Sequence, residues 1–516
     1  MKQRIIYLIV AGVMLASCGD FLDPKSKSEF VPKDASSMNE LLLGEAYPRY
    51  DTRSLNVFLN ILDDDVTCSP YRKIATGKNR STWRAAYTWQ SDMFTIFENY
   101  SLNANIYEKY YSLIRGANAI LDYTGDVSGD EDMINSVKAQ ALALRGYYYF
   151  TLVNIFGMPY NEDKEALGVP LKLTSGIEER SLTRNTVNEV YKQVLKDLSE
   201  AERLYKLIPE GDQWKKNYRT SLPMVQLLLS RTYLYMEEWQ KAADYAKLVI
   251  ANPNFKLIDL NTVNATDGNG ERTYMNYHSY TSPEAIWLYG NSEDVTYFTG
   301  LYSGDENEYN PENEYCLFRA SDALLNSFDE TSGDLRKERY LVREANPSYE
   351  QGEKYYIVQA FGKVSVSSKY RPETNTFGRS FRLSEAYLNL SEASAMLYKE
   401  KNDNGALVQS LEALNTLRRY RFENYTNENI SNADELLSFV QRERRRELCF
   451  EDHRWLDLRR WGMKSIQHVW IDESDSETYT LQEKDRGYTI PIPKTSLQEN
   501  PSLEQNPLAP VPRTKE

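Results

Sequence analysis

Histidine is scarce in this chain. Three residues in 516 leave too few imidazoles for a histidine-rich metal centre. The four cysteines, at 18, 68, 316 and 449, form no Cys-x-x-Cys pair, so neither a disulfide framework nor a structural zinc site is indicated. Positive charge is also in short supply. With 61 basic against 75 acidic residues, the net charge of −14 argues against a general nucleic-acid binder, which needs a basic surface to displace counterions. Beyond the N-terminus no run approaches the ~20 apolar residues of a membrane-spanning helix. Phosphate-cradling glycine loops, nucleophile elbows and histidine–glutamate zinc helices are missing too, so no cofactor is expected.

Tyrosine, by contrast, is abundant, with 39 residues. An apolar ring with a polar tip serves either the packing of amphipathic helices or an aromatic surface for a ligand.

At the N-terminus Lys2 and Arg4 precede an apolar run over 5–15, then Leu15-Ala16-Ser17-Cys18. A basic start, a short apolar core and small residues at the exit make a secretory signal. Leucine, two small residues and cysteine resemble a bacterial lipobox, so residues 1–17 are expected to be removed and Cys18 acylated. Losing Lys2 and Arg4 takes the net charge from −14 to −16. Several acyl chains on Cys18 would anchor the protein in lipid, and residues 18–33 would form the tether. Cys449 reads as a small core side chain.

From residue 34 onward helical periodicity dominates. Ile106, Tyr110, Leu113, Ala117 and Ile120 share one face, as do Ile134, Val137, Ala141, Leu144 and Tyr148. Val187, Val190, Val194, Leu198 and Ala201 follow a capping box at Thr186 and Glu189. Further runs cover 225–236, 242–249, 383–397, 407–417 and 436–448, the last behind Asn432 and Glu435. Three helices repeat a charge, a small residue and a tyrosine: Arg145-Gly146-Tyr147, Arg231-Thr232-Tyr233 and Glu385-Ala386-Tyr387. Small residues that let helices approach, with aromatics beside them, predict degenerate tetratricopeptide-like helical pairs. Two stretches, about 49–98 and 255–380, lack helical period and read as long irregular insertions with a little β near 285–289 and 355–358.

The segment from Glu443 through Arg444-Arg445-Arg446-Glu447-Leu448-Cys449-Phe450-Glu451-Asp452-His453-Arg454-Trp455-Leu456-Asp457-Leu458-Arg459-Arg460-Trp461-Gly462 resembles the signature of the SusD/RagB family. Residues 141–157, 382–389, 488–493 and 500–507, and the start at Cys18-Gly19-Asp20, are similar to that family in the expected order. The resemblance implies a mostly α fold of four tetratricopeptide-like pairs with ligand-facing loops. It also implies a surface lipoprotein that captures glycans, or less often another nutrient, for a SusC-like TonB-dependent outer-membrane transporter, without being an enzyme. A peptide-binding member, a protein scaffold and, last, a glycoside hydrolase are the competing readings.

On physical grounds, Glu443 to Glu451 offers pairs three and four residues apart along one helix. Arg454, Arg459 and Arg460 could stack on Trp455 and Trp461 while pairing with Asp457 or Glu451. His453 reads as a scaffold residue.

A sugar needs a flat aromatic platform beside carboxylates, amides or guanidinium groups. Asp64, Asp65 and Arg80 lead into Trp83 and Trp89; Tyr289, Tyr297 and Tyr302 lie in a tyrosine-rich stretch with acids and amides. These are the expected ligand-binding residues. Trp287, between Ile286 and Leu288, reads as packed. Asp63-Asp64-Asp65 reads as a loop-orienting or sugar-binding group, not a metal cluster. The strings from Asp267 and Asp305 lack the glycine and glutamate of a calcium loop.

Overall fold

The computed structural model describes residues 31–48, 55–56, 58–68, 78–99, 105–177, 181–264, 266, 277–290, 318–340, 343–345, 354–356, 366–367, 371–372, 377–472, 475–513 and 515. Eight long helices carry the fold: α1 Ile106–Tyr123, α2 Glu131–Phe156, α3 Val187–Tyr205, α4 Leu222–Tyr235, α5 Trp239–Ile250, α6 Leu383–Lys401, α7 Asn404–Arg419 and α8 Ala433–Leu448. Each helix from α1 to α6 packs on the next, and α8 packs on α6. The starts match the sequence signals. Thr186 and Glu189 form the capping box of α3, and Asn432 caps α8 by accepting from Glu435 N.

The repeated charge–small–tyrosine pattern has a packing reason. Arg145 on α2 forms a buried bidentate pair with Asp197 on α3, through contacts of 2.8 and 2.6 Å. Arg231 on α4 pairs in the same way with Glu385 on α6, so two copies of the pattern answer each other. Gly146 faces α3 beside the Arg145–Asp197 pair, where a Cβ would sit 2.9 Å from Leu198 Cδ2. Hydroxyls bridge the other close approaches: Ser230 donates to Ala242 O, and Ser391 and Ser410 exchange bonds between α6 and α7. On α2 every residue from Ala139 to Phe156 is buried, because neighbours surround it on all sides.

Strand is minor. β1 Val66–Cys68 pairs with β3 Phe318–Ala320, β2 Ala285–Tyr289 with β4 Arg379–Arg382, and β5 Ile466–Asp472 with β6 Asp475–Leu481, all antiparallel. Two smaller hairpins join Arg343–Ala345 to Lys354–Tyr356 and Val366–Ser367 to Arg371–Pro372. The main hydrophobic core runs from Met38 through the helices and strands β1 to β6 to Leu503, and a smaller cluster of Ala395, Leu414, Ile430, Leu436 and Val440 joins α6, α7 and α8.

The stretch 49–98 is a correction. It holds helices at Leu59–Leu62, Lys78–Tyr87 and Met93–Asn99. Helices of 4, 10 and 7 residues complete too few turns for a 3.6-residue period to stand out. Among the described residues no helix is long and apolar enough to cross a membrane.

Candidate functional site

The three aspartates follow the short helix Leu59–Leu62, with Asp63 as its C-cap. Asp63 accepts from Asp65 N at 2.9 Å, and one oxygen from each of the three carboxylates lies within 4.8 Å of the others. Two arginines answer this negative charge. Arg454 binds Asp64 with both ends of its fork, at 2.7 and 2.9 Å, and Arg445 binds Asp65 at 2.6 Å. Burial, then the adjacent carboxylates of Asp65 and Asp64, push Asp63 well above the ordinary range. Burial would raise Asp64 as well, but Arg445 and Arg454 hold it well below. The cluster thus clamps the 63–65 turn to the C-terminal signature. Asp64 and Asp65, expected as ligand groups, are each engaged by an arginine of that signature.

The two tryptophans expected as ligand platforms are both buried. Trp89 is 1% exposed, donates from Nε1 to Leu62 O at 2.8 Å and stacks on His468 at 4.2 Å. His468 in turn lies against Tyr87 at 4.1 Å, with its ring nitrogens 2.6 Å from Tyr87 O and 2.9 Å from Asp63 O. Trp83 is 7% exposed and packs edge-on to Phe97. Neither ring presents an open face, because each fills the core under a short helix. Tyr289 is half-buried on β2, stacked 4.6 Å from Trp287, whose ring is fully buried as read. The Arg80 side chain, Tyr297, Tyr302 and Cys18 lie outside the described residues.

The signature segment acts as a distributor of charge. Instead of pairing mainly along its own helix, it reaches distant elements. Glu447 and Glu451 receive Arg382 from β4, and Glu447 also receives Arg421. Glu284, beside β2, binds the same two arginines, at 2.8 and 2.6 Å. Glu443 accepts from Arg418 at 2.5 Å and pairs with Arg336 at 2.7 Å. Only Arg446–Glu443 and Arg460–Asp457 keep the expected three-residue spacing. Arg454 pairs with Asp64 where Asp457 or Glu451 was expected, and Trp455 stacks on Tyr488 instead of on an arginine. Arg460 does lie over Trp461, at 4.8 Å. His453 is buried, and burial lowers it to about 4, so it is neutral near pH 7. This is a scaffold, as the sequence implied for His453.

A concave site lies on another face. The segment between α3 and α4 is stitched to β2: Trp214 Nε1 donates to Ile286 O at 3.2 Å, and Trp287 Nε1 to Tyr218 O at 2.7 Å. Tyr218 remains 40% exposed, and Tyr280 and Trp214 are half-buried. A cavity of about 460 Å³ opens between the N-terminal half of α2 and residues 205–221, with Trp214 on its lining. Its wall is held by one network. Tyr47 OH donates to Gln140 Oε1 and accepts from Thr220 N, and Tyr205 OH donates to Thr220 O. Arg219 donates to Asn39 at 2.7 Å. Sequence reasoning passed over this segment because it falls between two helical runs. Its signal was Trp214 and Tyr218 among amides and charges with no helical period.

Comparison with known proteins bears on both regions. The family model described as "Starch-binding associating with outer membrane" matches residues 20–234, and that of the SusD family matches residues 251–508. SusD-like protein P2 of Formosa agariphila is 25% identical over 443 residues, covering 80% of this chain and 82% of its own. The fold is similar to that of a SusD-like carbohydrate binding protein from Bacteroides vulgatus, with TM-score 0.65, 21% identity, and 92% and 99% of the two chains covered. A SusD superfamily protein from Bacteroides thetaiotaomicron is similar at TM-score 0.63 and 22% identity, over 92% and 98%. With family matches across both halves and the expected helical fold, the chain belongs to the SusD family, whose members bind starch or other glycans in association with the outer membrane.

Proposed function

We propose that this protein is a lipid-anchored receptor on the outer face of the outer membrane that captures an oligosaccharide and hands it to a SusC-like TonB-dependent transporter. The observation that carries the reading is the match to SusD-family models in both halves of the chain, over residues 20–234 and 251–508. The Leu15-Ala16-Ser17-Cys18 lipobox supports the anchor. The buried arginine–carboxylate scaffold supports a binding role over an enzymatic one, because its acids are tied up in ion pairs and its one histidine is packed among them. Arg80, Tyr289, Tyr297 and Tyr302 stay in the proposal as ligand contacts.

The direct test is calorimetry of the mature protein against maltoheptaose and a panel of soluble neutral glycans. Saturable binding with no release of reducing ends is the expected result; released reducing ends would defeat the non-enzymatic reading. In cells lacking the transporter, a Cys18→Ser protein should leave the membrane fraction. Co-purification of the wild type with a TonB-dependent transporter tests the partner.

A further inference from the structure

Among the described residues, every buried acid but one has a basic partner at ion-pair distance. The exception is Asp63. It is 2% exposed, and its carboxylate accepts a single bond, from Asp65 N at 2.9 Å. A buried carboxylate with no cation is strongly disfavoured, so its charge must be answered in another way.

The neighbours do not supply that answer. Asp64 and Asp65 stand beside it in the same turn, and the cations facing the cluster are Arg454 and Arg445. Both are engaged: Arg454 grips the two oxygens of Asp64, and Arg445 holds Asp65 Oδ1. His468 on β5 places Nε2 2.9 Å from Asp63 O, but burial lowers it to about 4, so it is neutral near pH 7. Tyr488, which faces Asp64, is pushed up by burial and is uncharged too. Three carboxylates therefore meet two guanidinium groups.

A second gap lies within the same turn. Asp65 Oδ2 is buried and has no hydrogen-bond partner. One oxygen of Asp63 and one of Asp65 lie within 4.8 Å of each other. A single proton closes both gaps, because a neutral Asp63 needs no cation and its O–H is the donor that Asp65 lacks. Burial and the two adjacent carboxylates push Asp63 in that direction. A calcium ion fits less well: it takes about 6–8 oxygens and would overshoot a shortfall of one charge.

We propose that Asp63 is a proton-operated latch, a neutral carboxylic acid near pH 7 that donates its O–H to Asp65 Oδ2. The turn it closes joins distant parts of the chain. Leu62 O accepts from Trp89 Nε1, Asp64 O from Ser321 Oγ, and Asp65 O from Ser321 N. Losing the proton sets three buried carboxylates against two cations and loosens this junction. The unfolded chain releases the same proton near ~4. The contribution of the latch is therefore full below ~4 and is lost as pH rises through the folded value.

The test is Asp63→Asn, which keeps a donor at the latch and cannot ionise. Its folding constant, relative to that of the wild type in urea unfolding, should rise at least ~10-fold between pH 5 and pH 7. A ratio constant to within about twofold would overturn the latch, as would a variant that fails to fold, since asparagine preserves the bond. Infrared spectra in heavy water at pH 7 read the proton directly. The wild type should show a protonated-carboxyl band that Asp63→Asn diminishes, and a spectrum unchanged by the substitution would contradict the proposal. Calcium separates the remaining occupant. A urea midpoint that calcium raises in the wild type, but not in Asp63→Asn, would put a metal ion where the proton is placed and overturn the latch.

Discussion

The charges around Arg382 and the polar wall around Ser221 are both buried, and both sit where helices meet irregular chain. Around Arg382 each N–H of the guanidinium fork meets a carboxylate or a carbonyl: Glu284, Glu447, Glu451 and the Glu447 backbone. Around Ser221 the network stops one bond short. A saturated polar cluster can only hold the fold together, since any ligand would have to displace a bond already made. An unsaturated one gives up part of that hold, because a buried group without a partner costs stability.

The largest effect should come from breaking the saturated side. Arg382→Met leaves three buried carboxylates short of a partner, and unfolding in urea should show a loss of about 3–5 kcal/mol. If the loss is below 1 kcal/mol, the network is not what joins β4 to α8.

Acid should act on the same side in two stages. An unfolded histidine titrates near ~6.5 and an unfolded carboxylate near ~4. His453 is lowered to about 4 by burial, so the unfolded chain binds its proton first. Stability is then complete above ~6.5 and is lost as pH falls toward 4, by on the order of 3 kcal/mol. Glu447 and Asp457 are held at about 2 against the effect of burial, by Arg421 and Arg382 and by Arg444 and Arg460 respectively. Their contribution is present above ~4 and is lost as pH falls toward 2. Urea midpoints measured across this range should show both stages, and His453→Gln should roughly halve the first alone, because burial lowers His468 to about 4 as well.

A smaller loss, about 1 kcal/mol, is expected for Asp64→Asn, whose ion pairs with Arg445 and Arg454 are partly open to water. The smallest is the most diagnostic. Replacing an N-cap serine by alanine ordinarily costs ~1 kcal/mol. Ser221→Ala should change stability by less than ~0.5 kcal/mol, because the hydroxyl caps nothing. A normal capping loss would show that Ser221 serves the helix and would erase the contrast between the two regions.

Legibility followed the same division. The long helices, the Thr186–Glu189 and Asn432 caps, the β2 strand and the packed Trp287 were readable, because period and capping are properties of neighbours in sequence. The short helices of 49–98 were not, and neither were the fates of Trp83 and Trp89. Both tryptophans carry polar neighbours in the chain, yet those neighbours do not decide what covers the rings. Asp64 and Asp65 look free in sequence because Arg454 and Arg445 stand some 380 residues away and arrive only on folding. The tyrosine excess divides in a similar way: Tyr110, Tyr148 and Tyr289 are core or half-buried packing, while Tyr218, outside the clusters singled out, is exposed.

The order of residues alone determined a helical-repeat protein of the SusD family. Those features are written in local period, composition and contiguous motifs. Tertiary structure decided which polar groups are spent and which are left, because a hydrogen bond or an ion pair is a distance in space between residues the chain keeps far apart.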